Sequence, residues 1–454
     1  MRFISKHKLL TLACCLSIAF TSCKETNEDE PSNPETPTSE EKVMSISEQK
    51  QYLESVGSEL IGYFEEKNFD KVVNLLDYSA KTYENYSWDS VSSWASEIYD
   101  DLIENLGTTT SETDEYGYTY FYNNYKVLIM ASNFHSRFVA QDNKWVRYDS
   151  NDLQFQFKDQ SNNDCILKLS TSGNIKKVYV GNIDEYDHYD YSYGVYTDYY
   201  DRTQLTIGIP EQIILTLTCG GTDLVKGTIN IDLASITNDQ FDFSKSSINI
   251  SSTIELYNGY KIELSQASYT PNNLRVDFNL SSNGTSLIKI TASSDINDIP
   301  SIKLDDFSSD NFDIDEDDFS NSSANNAYAS VDILGKVQIQ GEISKVNKYI
   351  EYLYNAEENS SNEKEFKSYI NQANDLSKFY VSYNGSNTIQ ASIKLEPFNE
   401  NESGYDYWYY EPVFEFQDGS KYCSIEAFFN DSDFKNIIDT FEQIIEDYSN
   451  KFDY

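Results

Sequence analysis

Leu53, Val56, Leu60 and Phe64 recur three and four residues apart with polar residues between them, which is the stripe of an amphipathic helix. Ser45 and Glu48 have the capping-box spacing that would start it. Phe69, Val72, Val73, Leu76, Ala80 and Tyr83 predict a second helix. A third runs from about Ser90 through Trp94, Ile98, Leu102 and Leu106, with Gly107 placed to end it as a left-handed C-cap. Beyond Gly107 the period changes from 3.6 to 2, as in Phe134, Ser136, Phe138, Ala140 and again in Leu153, Phe155, Phe157. With Asp142-Asn143 and Ser172-Gly173-Asn174 as turns, short antiparallel strands are predicted.

From Ile213 the strands lengthen, over 213–219, 229–233, 248–256, 260–264, 274–280 and 287–292. Ile254 and Leu256 share a face with Tyr260 and Ile262 only if the connection has an odd number of residues. A three-residue loop, Tyr257-Asn258-Gly259, is therefore predicted, pairing Leu256 with Tyr260 and giving Gly259 the left-handed position. The same parity joins Leu280 to Ile288 across Asn283-Gly284-Thr285, so one apolar face runs across at least four strands. Residues 305–326 read as an acidic loop. A strand near 331–339 follows, then helices carrying Val346, Tyr349, Ile350, Leu353 and Phe366, Tyr369, Ile370, Ala373, Leu376. A hairpin at Asn384-Gly385, a strand pair around Asp418-Gly419 and a C-terminal helix complete the pattern. That last helix is capped by Ser432 and striped by Phe434, Ile437, Ile438, Phe441, Ile444, Ile445 and Tyr448. Helices precede and follow the strands rather than alternate with them, so the fold class is α+β: an N-terminal helical segment, a long antiparallel meander, and helices packed on the sheet.

Ahead of this body, Arg2, Lys6 and Lys8 precede an apolar run over residues 9–20, the pattern of a secretory signal peptide. The run is shorter than the roughly 20 apolar residues a bilayer-spanning helix needs. It ends in Phe20-Thr21-Ser22-Cys23, which resembles the lipobox of bacterial lipoproteins, with Phe20 in place of the usual leucine. The resemblance implies cleavage before Cys23 and lipidation of Cys23, and a multiply acylated cysteine is a stable membrane anchor where one chain is marginal. The acidic stretch over residues 24–30 resembles the export signal of Bacteroidota-type surface lipoproteins, which implies an outer-membrane position facing the exterior. Residues 28–41 offer no apolar side chain to bury and read as a disordered tether. The chain thus divides into a signal (1–22), a lipidated tether (23–44), a helical segment (45–107), a short-stranded β region (108–204) and a meander with C-terminal helices (205–454). Residues 45–454 can also be grouped as one globular unit.

The formal net charge is −41, and −44 once the three basic residues of the first 22 positions are removed. Such a surface repels phosphate backbones, so nucleic acid is excluded as a partner. After Cys14 and Cys15 leave with the signal and Cys23 is acylated, Cys165, Cys219 and Cys423 remain, without CxxC or CxxH spacing. Cys219 continues the alternation of Ile213, Leu215 and Leu217 and is read as an unpaired buried filler. There is no GxSxG, HExxH, P-loop or dinucleotide fingerprint. Ser47-Glu48-Gln49-Lys50 matches Ser-x-x-Lys without its partner motifs and is read as helix entry. The sequence is therefore read as a binding protein rather than an enzyme, with calcium as its one cofactor candidate. That candidate is Asp313, Asp315 and Asp317, whose alternate spacing lets oxygen ligands converge but which lack the glycine and glutamate of an EF-hand.

Three aromatic tracts, 116–125, 186–200 and 405–410, alternate with acids and small polar residues, so half their positions face water if extended. Tyr189, Tyr191, Tyr193, Tyr407, Trp408 and Tyr409 are the candidate ligand-binding residues. Exposed rings pack on the apolar faces of sugars while neighbouring carboxylates accept hydroxyl hydrogen bonds, so a glycan is expected ahead of a protein ligand. The meander suggests a different class: it resembles, in outline only, the half-barrel lipid carriers of the cell envelope, in which an open apolar sheet face around Ile254 or Phe278 would hold an acyl chain.

Overall fold

The computed structural model describes residues 43–64, 69–114, 116–192, 195–297, 299, 301–304, 323–402 and 405–422, with 439, 440, 442, 443 and 446 near the C-terminus. Cys23, Cys423, Asp313, Asp315, Asp317 and Tyr193 lie outside the described residues, as does the predicted C-terminal helix apart from those last five positions, which are helical. The class is α+β, with helices before and after long antiparallel runs. Contacts divide the body into two compact units: one of residues 43–73, 258–297 and 323–422, the other of 74–257 with 299–304.

Three helices open the chain: α1 (Ile46–Tyr63), α2 (Asp70–Tyr83) and α3 (Asp89–Leu102). The third stops short of Gly107 because residues 103–113, which include Thr108, Thr109 and Thr110, pair with the strand that follows; β-branched residues override the helical phase of Leu106. Gly107, at φ +62°, lies at a register shift between Asn105 and Thr109 and is not a helix cap.

The unit starting at residue 74 holds β1 (Ile103–Thr113), β2 (Thr119–Met130), β3 (Ser136–Gln141), β4 (Lys144–Tyr148), β5 (Leu153–Lys158), β6 (Asp164–Ser192), β7 (Val195–Cys219), β8 (Thr222–Ala234) and β9 (Ser247–Leu256). Tyr83, Trp94, Phe138 and Trp145 form its buried cluster between the helices and β3–β5. β6 and β7 make one long hairpin, paired from Cys165 opposite Cys219 to Ser192 opposite Val195. Ser172-Gly173-Asn174 is not a turn within it but a bulge, where Gly173 takes φ +83° and the Glu211 carboxylate accepts the Asn174 backbone N–H at 2.9 Å. Cys219 is not unpaired either. The hairpin register sets Cys165 directly across from it, Cα–Cα 4.1 Å, and the two form a disulfide. At this end β6 also pairs with β5, and β7 with β8. Towards the hairpin tip β7 changes neighbour and pairs in parallel with β2, from Tyr120 opposite Asp198 to Met130 opposite Gly208.

In the other unit each strand is antiparallel to the one before: β10 (Tyr260–Thr270), β11 (Asn273–Ser282), β12 (Thr285–Asn297), β13 (Ser323–Ile333), β14 (Val337–Ser344), β15 (Ser377–Tyr383), β16 (Ala391–Glu402), β17 (Tyr405–Phe416) and β18 (Lys421–Tyr422). Between β14 and β15 run α4 (Val346–Glu358) and α5 (Glu363–Leu376). The strand expected over 331–339 is two strands, because Leu334 and Gly335, both at positive φ, make a tight turn. Leu280 does pair with Ile288, but through the two-residue turn Asn283-Gly284; the extra residue is Leu287, fully buried at a bulge that restores the parity. Val56 of α1 packs on Val337, Val381, Tyr383, Ala391 and Phe416, while α4 and α5 bring Val346, Tyr349 and Ala373 to Ile343 on the same sheet face. Gly341 leaves room for the Phe379 ring across the ladder: a Cβ there would lie 2.0 Å from it. The chain's entry into this unit is pinned by buried Gln49, which donates to the Met44 carbonyl (3.0 Å) and accepts from the Tyr383 hydroxyl (2.9 Å).

Candidate functional site

Acids and tyrosines alternate in β6 and β7, and a strand sends successive side chains to opposite faces, so each strand sorts its residues into two sets. Parallel pairing with β2 then builds a ladder β1–β2–β7–β6 in which Tyr122, Tyr200 and Tyr186 occupy one rung, and Asn124, Arg202 and Asp184 the next on the same face. Tyr200 sits at the centre, its ring centroid 5.6 Å from Tyr186, 5.7 Å from Tyr122 and 6.1 Å from Tyr120. Two sequence-distant tracts, 116–125 and 186–200, thereby share one surface.

Arg202 organises the polar half of this face. Its Nε and Nη2 donate to the two oxygens of Asp184 at 2.9 and 2.7 Å, Nη1 bonds the Glu112 carboxylate, and the guanidinium lies 3.7 Å over the Tyr122 ring. The hydrogen bonds to Asp184 outweigh burial, and those to Glu112 add to them, holding the guanidinium charged. The Tyr120 hydroxyl donates to Asp114 at 3.1 Å, and that bond pushes its pKa up. Burial, followed by the nearby carboxylates Glu112 and Asp198, raises Tyr122 and Tyr186 respectively. These phenols are hydrogen-bond donors at neutral pH. Around them Tyr116, Tyr118, Tyr186 and Tyr189 stand 55–79% exposed. On the opposite face His188 stacks on Tyr199 at 4.7 Å, and Phe121 on Tyr199 at 5.5 Å.

The predicted ligand residues fall in separate places. Tyr189 is exposed on β6 opposite Asp198, and Tyr191 follows it opposite Tyr196. Tyr407, Trp408 and Tyr409 belong to β17 in the other unit. Tyr407 is exposed and Tyr409 packs 5.8 Å from Phe398. Trp408 alternates to the helix side, 6.4 Å from Phe366 with Lys367 Nζ 4.3 Å over its ring, and its backbone N–H donates to the Ser360 carbonyl at 2.7 Å. Tyr120, Tyr122 and Tyr200 lie within the predicted aromatic tracts but are not among the six candidate ligand residues, whereas Glu112, Asp184 and Arg202 lie outside the tracts. The only local signal for Arg202 is the alternation Asp198, Tyr200, Arg202; the parallel partner strand leaves no local trace. Asp159 lies beside the half-cystines, with Cys219 Sγ 3.6 Å from its Oδ2, but bonded sulfurs are not thiolate ligands. Over β13–β17 the apolar sheet face carries α1, α4 and α5. The chain matches no protein-family model, no curated protein and no solved structure.

Proposed function

We propose that this protein is a lipid-anchored, surface-displayed, non-enzymatic glycan-binding lipoprotein whose binding surface is the tyrosine-lined face of β1, β2, β7 and β6. The observation that carries the reading is the gathering of Tyr120, Tyr122, Tyr186 and Tyr200 about an arginine that is already paired. Such a cluster presents apolar ring area and carboxylate acceptors side by side, the combination a sugar's apolar face and hydroxyls require. Helices α1, α4 and α5 cover the apolar face over β13–β17, whereas Ile262 on β10 and Val276 on β11 stay 40% and 36% exposed, so an apolar-ligand carrier is kept as the second reading and a mass-spectrometric search for lipid co-purified with the ectodomain tests it.

The test is retention of the ectodomain on a glycan array. Tyr186→Ala with Tyr189→Ala removes two exposed rings and should weaken retention at least tenfold with little change in melting temperature. Trp408→Ala should instead lower the melting temperature and leave retention intact, because that ring packs on α5. Unaltered binding by the tyrosine double variant would remove this face from consideration.

Anchoring rests on Phe20 to Cys23. Cys23→Ala should abolish acyl labelling and release the protein from membranes, and protease added to intact cells should digest the wild type. Continued sedimentation of the variant with membranes, or full protection of the wild type, would contradict the anchor and the display in turn.

A further inference from the structure

We infer, building on the glycan reading, that this face selects uncharged polysaccharides and rejects those bearing uronate or sulfate groups. An arginine beside aromatic rings would ordinarily suggest the opposite, since a guanidinium fork is the usual clamp for carboxylate and sulfate. Here the fork is occupied. Both oxygens of Asp184 and the carboxylate of Glu112 take its donors, and its flat face is closed by the Tyr122 ring 3.7 Å away. Arg202 is only 16% exposed, so a ligand carboxylate would have to displace one of two charged partners to reach it. It acts as a positioning residue, fixing Glu112, Asp184 and Tyr122 in one arrangement.

The charges left for a ligand are negative. Asp198 shares the face, opposite Tyr189 and Tyr120, and Asp114 sits at the Tyr120 hydroxyl. The next cation on this face of β2, Lys126, is four residues beyond Tyr122, about 13 Å along the strand. The long-range field has the same sign, given the net charge of −41. A polyanion therefore meets repulsion at every distance and finds no free donor fork at contact. An uncharged chain meets exposed rings for its C–H faces and carboxylates and phenols for its hydroxyls.

The experiment is affinity electrophoresis of the ectodomain through gels containing uncharged polymers (pullulan, laminarin, galactomannan, xyloglucan) or anionic ones (polygalacturonate, chondroitin sulfate), at low and at 0.5 M salt. Retardation is expected in at least one uncharged gel at both salt concentrations and in neither anionic gel at low salt. Glu112→Gln combined with Asp198→Asn frees one side of the guanidinium and removes two repelling charges. It should gain retardation by polygalacturonate at low salt, and the gain should vanish at 0.5 M salt. Wild-type retardation by an anionic polymer, lost in Arg202→Gln, would overturn the selectivity and leave glycan binding standing. A double variant still indifferent to polygalacturonate would overturn the electrostatic account. Absence of retardation in every gel would overturn the glycan reading itself.

Discussion

Asp242 shows how a single side chain in this acidic protein turns a carboxylate into a structural tie. Its Oδ1 accepts from Ser244 N (2.9 Å) and Ser244 Oγ (2.6 Å), and its Oδ2 from Lys245 Nζ (2.5 Å) and Ser301 Oγ (2.9 Å). Burial pushes its pKa up, but these donors outweigh burial and hold it well below the usual carboxylate range. A carboxyl depressed in the folded state stabilises fully above its unfolded pKa of about 3.9, and the contribution is lost as pH falls through the folded value. Asp242→Asn should therefore cost about 2 kcal/mol at pH 7, the typical loss for hydrogen bonds to a charged group. Below about pH 4 the gap from wild type should narrow. Urea unfolding of both proteins at pH 7 and pH 3 measures it, and a gap that is the same at both would contradict the tie.

Among the elements, the β6–β7 hairpin depends most on a covalent link. Cys165 and Cys219 are 54 residues apart, and closing a loop of that length removes chain entropy from the unfolded state equivalent to about 4 kcal/mol. Reduction, or Cys165→Ala with Cys219→Ala, should lower the melting temperature and leave the tyrosine-lined tip intact while the protein remains folded. Thermal unfolding with and without reductant checks it; an unchanged melting temperature would show that the bond adds nothing. The sequence showed one half of each feature of this hairpin. Alternation revealed strands around Ile213 and Leu217, but the disulfide required knowing that Cys165 stands opposite Cys219, a register fixed only after three shifts, between Tyr186 and His188, Tyr179 and Gly181, and Ser172 and Ile175, are counted. Helices α1, α2, α4 and α5 were readable because their apolar stripes and the Ser45–Glu48 cap are local. Leu106 and Gly107 misled because a helical phase and a strand partner compete, and the partner lies outside any local window. The candidate site was half visible for the same reason: the tyrosine tracts stand out, yet Arg202 acquires its role only from Glu112 and Asp184 on strands 90 and 18 residues away.

At the scale of the molecule, the acidic surface and the tyrosine face belong together, since exposed rings favour association unless the surrounding charge opposes it. Net charge of this size discourages self-association that exposed aromatic area would otherwise promote. The parallel pairing of β2 with β7 has a different consequence, for the order of assembly. The β6–β7 hairpin can zip from its tip by adding neighbouring rungs, whereas Tyr120 meets Asp198 only at a sequence separation of 78 residues. Closing that loop costs entropy before any contact returns it, so β2 should dock after the hairpin has formed. Ile129→Val, which trims a side chain on the rung shared with Ile207, should then speed unfolding and leave refolding nearly unchanged. Stopped-flow chevrons would show the effect in the unfolding limb, and a slowed folding limb would mean that the nucleus already contains β2. Because that docking step assembles the tyrosine face, an early folding intermediate carrying the hairpin alone would hold Arg202 and Asp184 without Glu112, so ligand capture would begin only with the final stage of folding.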